Sequence, residues 1–262
     1  MRSIASRTTA LVVAFLLLVA ASARAEEVRV MTSGAFTEPF LKLVPAFERT
    51  TKSKVITSFG ASMGGAPDSI PSRLSRGEPV DVVILAAEAL DNLIKQGQVI
   101  PGSRVDLVRS IIGMAVRKGA PKPDISTVDA LKRTLLQAKS IAYSASASGT
   151  YLSTEMFQRL GIADQVKAKS KRIESERVGD VVARGDAEIG FQQISELLPI
   201  PGIDYVGPLP ADVQRVTVFS AGIATKAREP EAARALVKFL ASPDATSEIK
   251  KAGLEPLLLT RK

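Results

Sequence analysis

The sequence predicts an α/β protein of two lobes with a ligand cleft between them. Short β-like runs alternate with amphipathic helical patterns along the chain, which favours sheets covered by helices. The run Val80–Leu85 is almost continuously apolar, as is typical of a strand buried on both faces of a parallel sheet. A second α/β series follows the first, and the final segment is expected to return to the first lobe. Two chain crossings would form a hinge, with the ligand at the carboxyl ends of the strands.

The first 25 residues differ from the rest of the chain and predict a secretory signal peptide. Arg2 and Arg7 precede the apolar run Ala10–Ala21, which is followed by Ala23-Arg-Ala25, a typical cleavage site. A membrane anchor is the alternative, but the apolar run is short for a bilayer span. Cleavage after Ala25 would place the mature protein in the periplasm.

Lobe I is predicted to comprise residues 26–108 together with residues 218–262. Its first helix, Glu38–Thr50, carries apolar residues at helical spacing, and Gly97 stops a later helical pattern. The predicted strands are Val28–Met31, Lys54–Phe59, Val80–Leu85 and the returning Val213–Ile223, and the other helices are Ser69–Arg76, Ala87–Gln96 and Glu229–Leu240.

Lobe II is predicted to comprise residues 109–217, again as alternating strands and helices. Ser126 can cap a helix that carries Asp129 in its first turn, and Gly161 and Gly185 end later helical patterns. The predicted strands are Ile111–Val116, Ser140–Tyr143, Ile189–Gln193 and Tyr205–Val206, and the helices are Val128–Gln137, Thr150–Leu160 and Val178–Arg184.

The composition restricts the chemistry and the partners. The chain has a formal net charge of +8, and removal of residues 1–25 takes away three arginines and no acidic residue, which leaves +5. The basic residues are spread along the chain without interleaved aromatic residues, so a small anionic ligand is expected rather than nucleic acid. Cysteine and histidine are absent, which excludes disulfides, thiol chemistry and a Ser-His nucleophile and removes the usual metal ligand.

Three stretches place a serine-rich or glycine-rich turn after a β-like run and before a helical pattern. They are Val28–Phe40, Phe59–Gly65 and Ile141–Tyr151. Hydroxyl groups and free N–H groups at a helix N-terminus bind anions, so these turns predict a cleft that closes on a small anion. Ser33 and Ser62 are the first candidates, although serine also favours helix caps and turns without any ligand.

The order and spacing of these stretches resemble the type II periplasmic solute-binding proteins, specifically the branch similar to molybdate-binding proteins. The resemblance covers nearly the whole mature chain and implies a type II periplasmic-binding-protein fold. The resemblance rests on Ser33, Gly60-Ala-Ser62, Arg76–Ile84, Ser148–Tyr151 and Arg177–Gly190.

The resemblance also implies which residues contact the ligand. Ser33 and Ser62 match two serines whose hydroxyls hold a tetrahedral oxyanion, and Ser148 and Val178 match positions that supply N–H groups. Gln193 stands where the family has a tyrosine, so that a carboxamide replaces a phenol. The resemblance therefore implies the fold of the family but does not imply that molybdate is the ligand.

The chain offers more hydrogen-bond donors than one oxyanion needs. Ser146 and Thr150 add hydroxyls beside Ser148. Arg73 and Arg177 could clamp carboxylates in bidentate fashion, although arginines on short helices usually face water.

A narrower resemblance is to enzymes of this fold that interconvert cis- and trans-aconitate. It rests on Met31–Gly34, Ile141–Ser144 with Ala147–Gly149, and Gly190–Pro199. It implies an isomerase that works without a metal or an organic cofactor. One base would remove an allylic proton from a small tricarboxylate, and hydrogen-bond donors would stabilise the dienolate.

The base must be a carboxylate, a lysine or a tyrosine, because histidine is absent. The candidates beside the predicted cleft loops are Glu196, Glu38, Glu88 and Tyr151. Each also has an ordinary role open to it: Glu38 suits the first turn of a helix, Glu88 and Glu196 could be solvated, and Tyr151 could pack in the core. The sequence does not choose among them.

The alternative function is that of a solute-binding protein that delivers molybdate or another small anion to an ABC permease. The fold, the export signal and the lack of an obvious base favour it. One fold supports both functions, and only the chemistry of the site separates them. A monomer with a small anionic ligand is expected in either case.

Overall fold

The computed structural model describes residues 26–258, which form two β-sheets covered by helices. Residues 1–25, which hold the predicted signal peptide, and residues 259–262 lie outside the described residues. Among the helices of residues 26–258, none has both the length and the apolar character needed to cross a membrane. The architecture is the two-lobed α/β arrangement predicted from the sequence.

The strands alternate with helices along most of the chain. In chain order the strands are β1 (Glu27–Thr32), β2 (Lys54–Phe59), β3 (Val82–Ala86), β4 (Val105–Ser110), β5 (Ile112–Arg117), β6 (Ile141–Ser144), β7 (Ser170–Ile173), β8 (Ile189–Gln193), β9 (Ile203–Pro208), β10 (Thr217–Ile223) and β11 (Glu255–Pro256).

The helices pack on both sheets. In chain order they are α1 (Gly34–Thr51), α2 (Ile70–Ser75), α3 (Ala87–Lys95), α4 (Val128–Gln137), α5 (Ala147–Tyr151), α6 (Phe157–Arg159), α7 (Ala163–Lys167), α8 (Val178–Arg184), α9 (Ile194–Leu197), α10 (Pro230–Leu240) and α11 (Thr246–Lys251). A π-helical segment, Leu152–Met156, joins α5 to α6, and 3₁₀ turns occupy Ala211–Val213 and Pro243–Ala245.

The two sheets share a pattern of parallel strands flanked by antiparallel ones. The first sheet has the order β11-β4-β10-β3-β1-β2, in which β1 is parallel to β2 and β3 and β10 is antiparallel to β3 and β4. The second has the order β7-β6-β8-β5-β9, in which β6 is parallel to β7 and β8. The carboxyl ends of the parallel strands therefore form one edge of each sheet.

Each sheet carries its own apolar core. In the first, α1 buries Phe36, Phe40 and Phe47 against β1, β3 and α10, and the rings of Phe47 and Phe239 lie 5.7 Å apart. All five residues of β3 are buried, as its continuous apolar sequence predicts. The core of the second sheet is centred on β5, β8 and the helices from α4 to α7.

The chain passes between the sheets twice, and one side chain contacts both connections. β4 ends at Ser110 and β5 begins at Ile112, whereas the return passes from β9 to Thr217 at the start of β10. The Gln193 carboxamide oxygen accepts a hydrogen bond from Ser110 Oγ at 2.7 Å, and Gln193 Nε2 donates to Thr217 Oγ1 at 3.4 Å. Because Gln193 ends β8, these bonds fix β8 against both connections.

Several elements differ from the prediction. The sequence patterns do not predict β4, β7, α7 or α11, which are short and carry charged residues; in β4, for example, Asp106 accepts a hydrogen bond from Ser220 Oγ at 2.7 Å. β10 begins at Thr217 rather than at residue 213. The Gln214 side chain instead accepts a hydrogen bond from the N–H of Ile112 and donates one to its carbonyl, both at 2.9 Å. α1 begins at Gly34 rather than at Glu38, which makes Ser33 its N-cap residue.

Candidate functional site

A cleft of about 550 Å³ opens between the two sheets. Its wall combines residues that follow β1 and β2 of the first sheet with residues that follow β6 and β8 of the second. This is the edge formed by the carboxyl ends of parallel strands, where ligands bind in open α/β sheets. The cleft wall includes the predicted site residues Ser33, Glu38, Ser146, Ser148, Gln193 and Glu196.

Ser33 lies at the N-terminus of α1, and its hydroxyl is not used as a helix cap. Its N–H donates to the carbonyl of Ile84 at 2.8 Å, and the residue is 2% exposed. Among residues 26–258, its Oγ has no hydrogen-bond partner. Because α1 contains 18 residues, its dipole and the free N–H groups of its first turn add to this hydroxyl as an anion-binding surface.

Ser195 provides a second buried hydroxyl from the other sheet. It lies in α9, directly after β8, and is 1% exposed. Its Oγ also lacks a hydrogen-bond partner in the described part of the chain, and the residue lines the cleft. Ser195 is not among the site residues predicted from the sequence. The signal that could have found it is the polar pair Ser195-Glu196 directly after an apolar strand.

The Glu196 carboxylate lies against the first turn of α1. A Cβ atom placed on Gly34 would overlap the Glu196 carboxylate, so this approach requires glycine at position 34. Burial raises the pKa of Glu196 to about 7, against the opposing effects of a hydrogen bond from Gln192 and of the nearby Arg177 charge. Near neutral pH both protonation states are therefore populated, as a group that takes up and returns a proton requires.

Gln192 connects this carboxylate to the backbone of α8. Its Oε1 accepts the N–H of Val178 at 2.9 Å, and its Nε2 donates to Glu196 Oε1 at 2.8 Å. Accepting from Val178 fixes the orientation of the carboxamide, so that its donor side must face Glu196. The Val178 N–H, which was expected to contact a ligand, is used by Gln192 instead.

Serine side chains after β6 form the wall of the cleft on the side of the second sheet. The Oγ atoms of Ser144 and Ser148 lie 3.0 Å apart, and both residues line the cleft. Ser146 Oγ accepts the N–H of Ser62 at 3.2 Å, which joins the two sides of the cleft. The close approach of Gly149 to the carbonyl of Ser144 leaves no room for a Cβ atom and allows this tight serine-rich turn.

Ser62 and Gln193, two further predicted ligand contacts, have structural partners. Ser62 is fully buried, and its Oγ accepts the N–H of Ala86 at 2.9 Å; the residue is not part of the cleft wall. Gln193 lines the cleft, but its carboxamide is bonded to Ser110 and Thr217.

The cleft wall includes Arg177 but not Arg73, Tyr151, Thr150 or Glu88. Arg73 Nε donates to Glu78 at 2.7 Å, and the Tyr151 hydroxyl donates to the carbonyl of Val213 at 2.9 Å within the core of the second sheet. Thr150 and Glu88 are exposed. Of the four proposed bases, only Glu38 and Glu196 therefore line the cleft.

The rim of the cleft is acidic, and three of the six carboxylates that line the cleft are paired with arginines. These pairs are exposed, so they screen the charge of the rim more than they stabilise the fold. They are Glu174 with Arg172 at 3.3 Å, Glu176 with Arg184 at 2.9 Å and Asp180 with Arg177 at 3.2 Å. An anion inside the cleft would thus depend mainly on hydroxyl and N–H donors.

This chain is similar over most of its length to an aconitate isomerase and to a molybdate-binding protein. The aconitate isomerase of a Pseudomonas species is 50% identical over 228 residues, which are 87% of this chain and 87% of that protein. The molybdate-binding protein ModA of Azotobacter vinelandii is 30% identical over 242 residues, which are 90% of this chain and 92% of that protein.

A solved structure shows the same fold. The periplasmic molybdate-binding protein of Azotobacter vinelandii superposes with a TM-score of 0.70 at 24% identity, covering 89% of this chain and 100% of that chain. Residues 28–255 match the family model of the bacterial extracellular solute-binding proteins, which spans both sheets. The chain therefore belongs to the bacterial extracellular solute-binding protein family, within which it resembles the molybdate-binding proteins and an aconitate isomerase.

Proposed function

We propose that this protein is an aconitate isomerase, which interconverts cis- and trans-aconitate by proton transfer within the cleft. The observation that carries the proposal is the placement of Glu196, a half-buried carboxylate with a pKa of about 7, against the first turn of α1. The aconitate isomerase of Pseudomonas, 50% identical to this chain, supports the same reaction. After cleavage of the predicted signal peptide, the enzyme would act in the periplasm as a monomer.

The reaction needs one group that removes a proton and returns it elsewhere. Ionised Glu196 takes a proton from the methylene carbon of the substrate, and the electron pair of the C–H bond spreads over the allylic carbons and their carboxylates. The protonated Glu196 then returns the proton to the carbon at the other end of the allylic unit. The double bond moves by one position without net oxidation, and the conformation of the bound dienolate decides the geometry of the product.

Neutral donors are suited to hold the carboxylates of such a substrate. Ser33 Oγ and the N–H groups at the start of α1 provide one group of donors, and Ser146 and Ser148 provide hydroxyls on the opposite wall. Donors that are fixed before the reaction stabilise the dienolate at little cost of reorganisation.

The test is a proton NMR time course of the mature protein with cis-aconitate in buffered D₂O. We expect trans-aconitate signals to grow and deuterium to enter the carbon skeleton. Glu196→Gln should lower the rate by at least about 100-fold, the usual contribution of a general base. Loss of activity in Glu38→Gln instead would reassign the base to Glu38, and an unchanged wild-type spectrum would contradict the proposal.

A second candidate is a solute-binding protein of an ABC importer, which would present a small anion to a membrane permease. Membership of the extracellular solute-binding family favours it, because the fold and the interlobe cleft suit simple binding equally well. Molybdate, tungstate or an organic acid would then raise the melting temperature of the protein without being converted. Turnover of cis-aconitate by the purified protein separates the two functions.

A further inference from the structure

We propose that Ser195 is a second substrate-binding residue, whose hydroxyl donates a hydrogen bond to the carboxylate that takes up negative charge as the allylic proton leaves. This inference rests on the proposed isomerisation and assigns to it a residue that is not among the candidates predicted from the sequence.

The first support is the state of the Ser195 hydroxyl. Ser195 is 1% exposed, lines the cleft, and its Oγ has no hydrogen-bond partner among residues 26–258. Native proteins pair nearly all buried hydroxyls, so an unpaired one in a cleft wall indicates a group that accepts from it there. Ser33, in the same cleft, has an unpaired hydroxyl and is 2% exposed.

The second support is the position of Ser195 relative to Ser33. Ser195 is the neighbour of Glu196, and the Glu196 carboxylate lies against Gly34, which follows Ser33. α9, which carries Ser195, therefore lies against the N-terminus of α1. The two helices follow strands of different sheets, because α9 follows β8 and α1 follows β1. A substrate carboxylate between them could accept from both hydroxyls and from the first-turn N–H groups of α1.

The third support comes from the chemistry. The methylene carbon that loses its proton carries a carboxylate, so this carboxylate is one bond away from the atom that Glu196 must reach. Ser195 and Glu196 both line the cleft, so a donor on Ser195 is suited to contact this carboxylate. As the C–H bond breaks, the electron pair shifts toward the carboxylates of the dienolate, and a hydrogen bond from Ser195 Oγ becomes stronger. The proton remains on Glu196 until it returns to the distal carbon.

The test compares Ser195→Ala with Ser170→Ala. Ser170, at the start of β7, also has a buried Oγ without a partner in the described residues, but it is not part of the cleft wall. Each variant removes one unpaired hydroxyl, so neither should lower the melting temperature. We expect kcat/KM for cis-aconitate to fall about 10-fold to 100-fold in Ser195→Ala, mainly through kcat, and to be unchanged in Ser170→Ala.

The outcomes separate this inference from the proposed function. If the wild-type protein isomerises cis-aconitate and Ser195→Ala does so equally well, the role of Ser195 is overturned and the isomerase stands. A higher KM with unchanged kcat would overturn the assignment to the charge-accepting carboxylate, and a lower melting temperature would point to a structural role instead. If the wild-type protein does not isomerise cis-aconitate, the proposed function fails, and the role of Ser195 fails with it.

Discussion

The protonation state of Glu196 is linked to the stability of the fold. Burial raises its pKa from 4.5 to about 7, so the folded protein favours the protonated acid more than the unfolded chain does. This contribution to stability is fully present below pH 4.5 and is lost as the pH rises through about 7. Ionisation of Glu196 therefore lowers the stability of the fold. This cost arises only at the pH values at which the ionised base is present.

The variant Glu196→Gln, which imitates the protonated acid, tests this coupling. The difference in unfolding free energy between variant and wild type should grow from near zero below pH 4.5 to at most about 3 kcal/mol above pH 7. Thermal unfolding of both proteins from pH 4 to pH 8 measures it. A difference that does not change with pH would mean that Glu196 titrates normally.

Part of the site could be predicted from residue types and their positions. Serine-rich or polar turns after strands predict four site residues that line the cleft: Ser33, Ser146, Ser148 and Glu196. Ser195 is not predicted, because a sequence does not reveal which buried hydroxyls lack a partner. Ser62 is a predicted ligand contact, but it lies outside the cleft wall and its hydroxyl accepts the N–H of Ala86. No local sequence pattern predicts this long-range hydrogen bond.

At the scale of elements, the first turn of α1 determines where the Glu196 carboxylate can lie. A Cβ atom on Gly34 would overlap that carboxylate, whereas a Cβ atom on Gly65 would meet no atom within 4 Å. Neither glycine has a positive φ angle, so alanine suits both backbones.

We expect Gly34→Ala to displace Glu196 and lower kcat/KM by about 100-fold, the effect of moving a catalytic group by roughly 1 Å. Gly65→Ala is the matched control and should keep wild-type kinetics. Steady-state kinetics and melting temperatures of the two variants provide the measurement. Equal activity in both would show that Glu196 does not need its present position.

Predicted elements agree with the structure where the apolar pattern is long or continuous. α1 and β3 bury the residues that their periodicity indicates. The patterns of β4 and β7 are short and interrupted by charges, so they do not predict strands. β4 is nevertheless stable in the sheet because it pairs with β10 and β11 on its two sides. Such pairing is tertiary and overrides local propensity.

At the scale of the whole molecule, the site exists because two sheets meet at one cleft. Hydrogen bonds cross the cleft from Ser62 N–H to Ser146 Oγ at 3.2 Å and from Ser175 Oγ to Asp68 at 3.1 Å. The order of strands and helices predicts two lobes and a cleft, since alternating α/β patterns leave few topologies. Which side chains face each other across the cleft depends on contacts between residues far apart in the chain, and the sequence alone did not provide these.

The proposed isomerisation assigns the role of base to Glu196. The dependence of kcat/KM on pH for the conversion of cis-aconitate measures the ionisation of the free enzyme. In the wild-type protein we expect kcat/KM to rise with pH and to reach half its maximum near pH 7, and we expect Glu196→Gln to lose this rise together with most of its activity. A wild-type profile that is flat between pH 5 and pH 8, or a Glu196→Gln variant that keeps the wild-type rate, would contradict this role of Glu196.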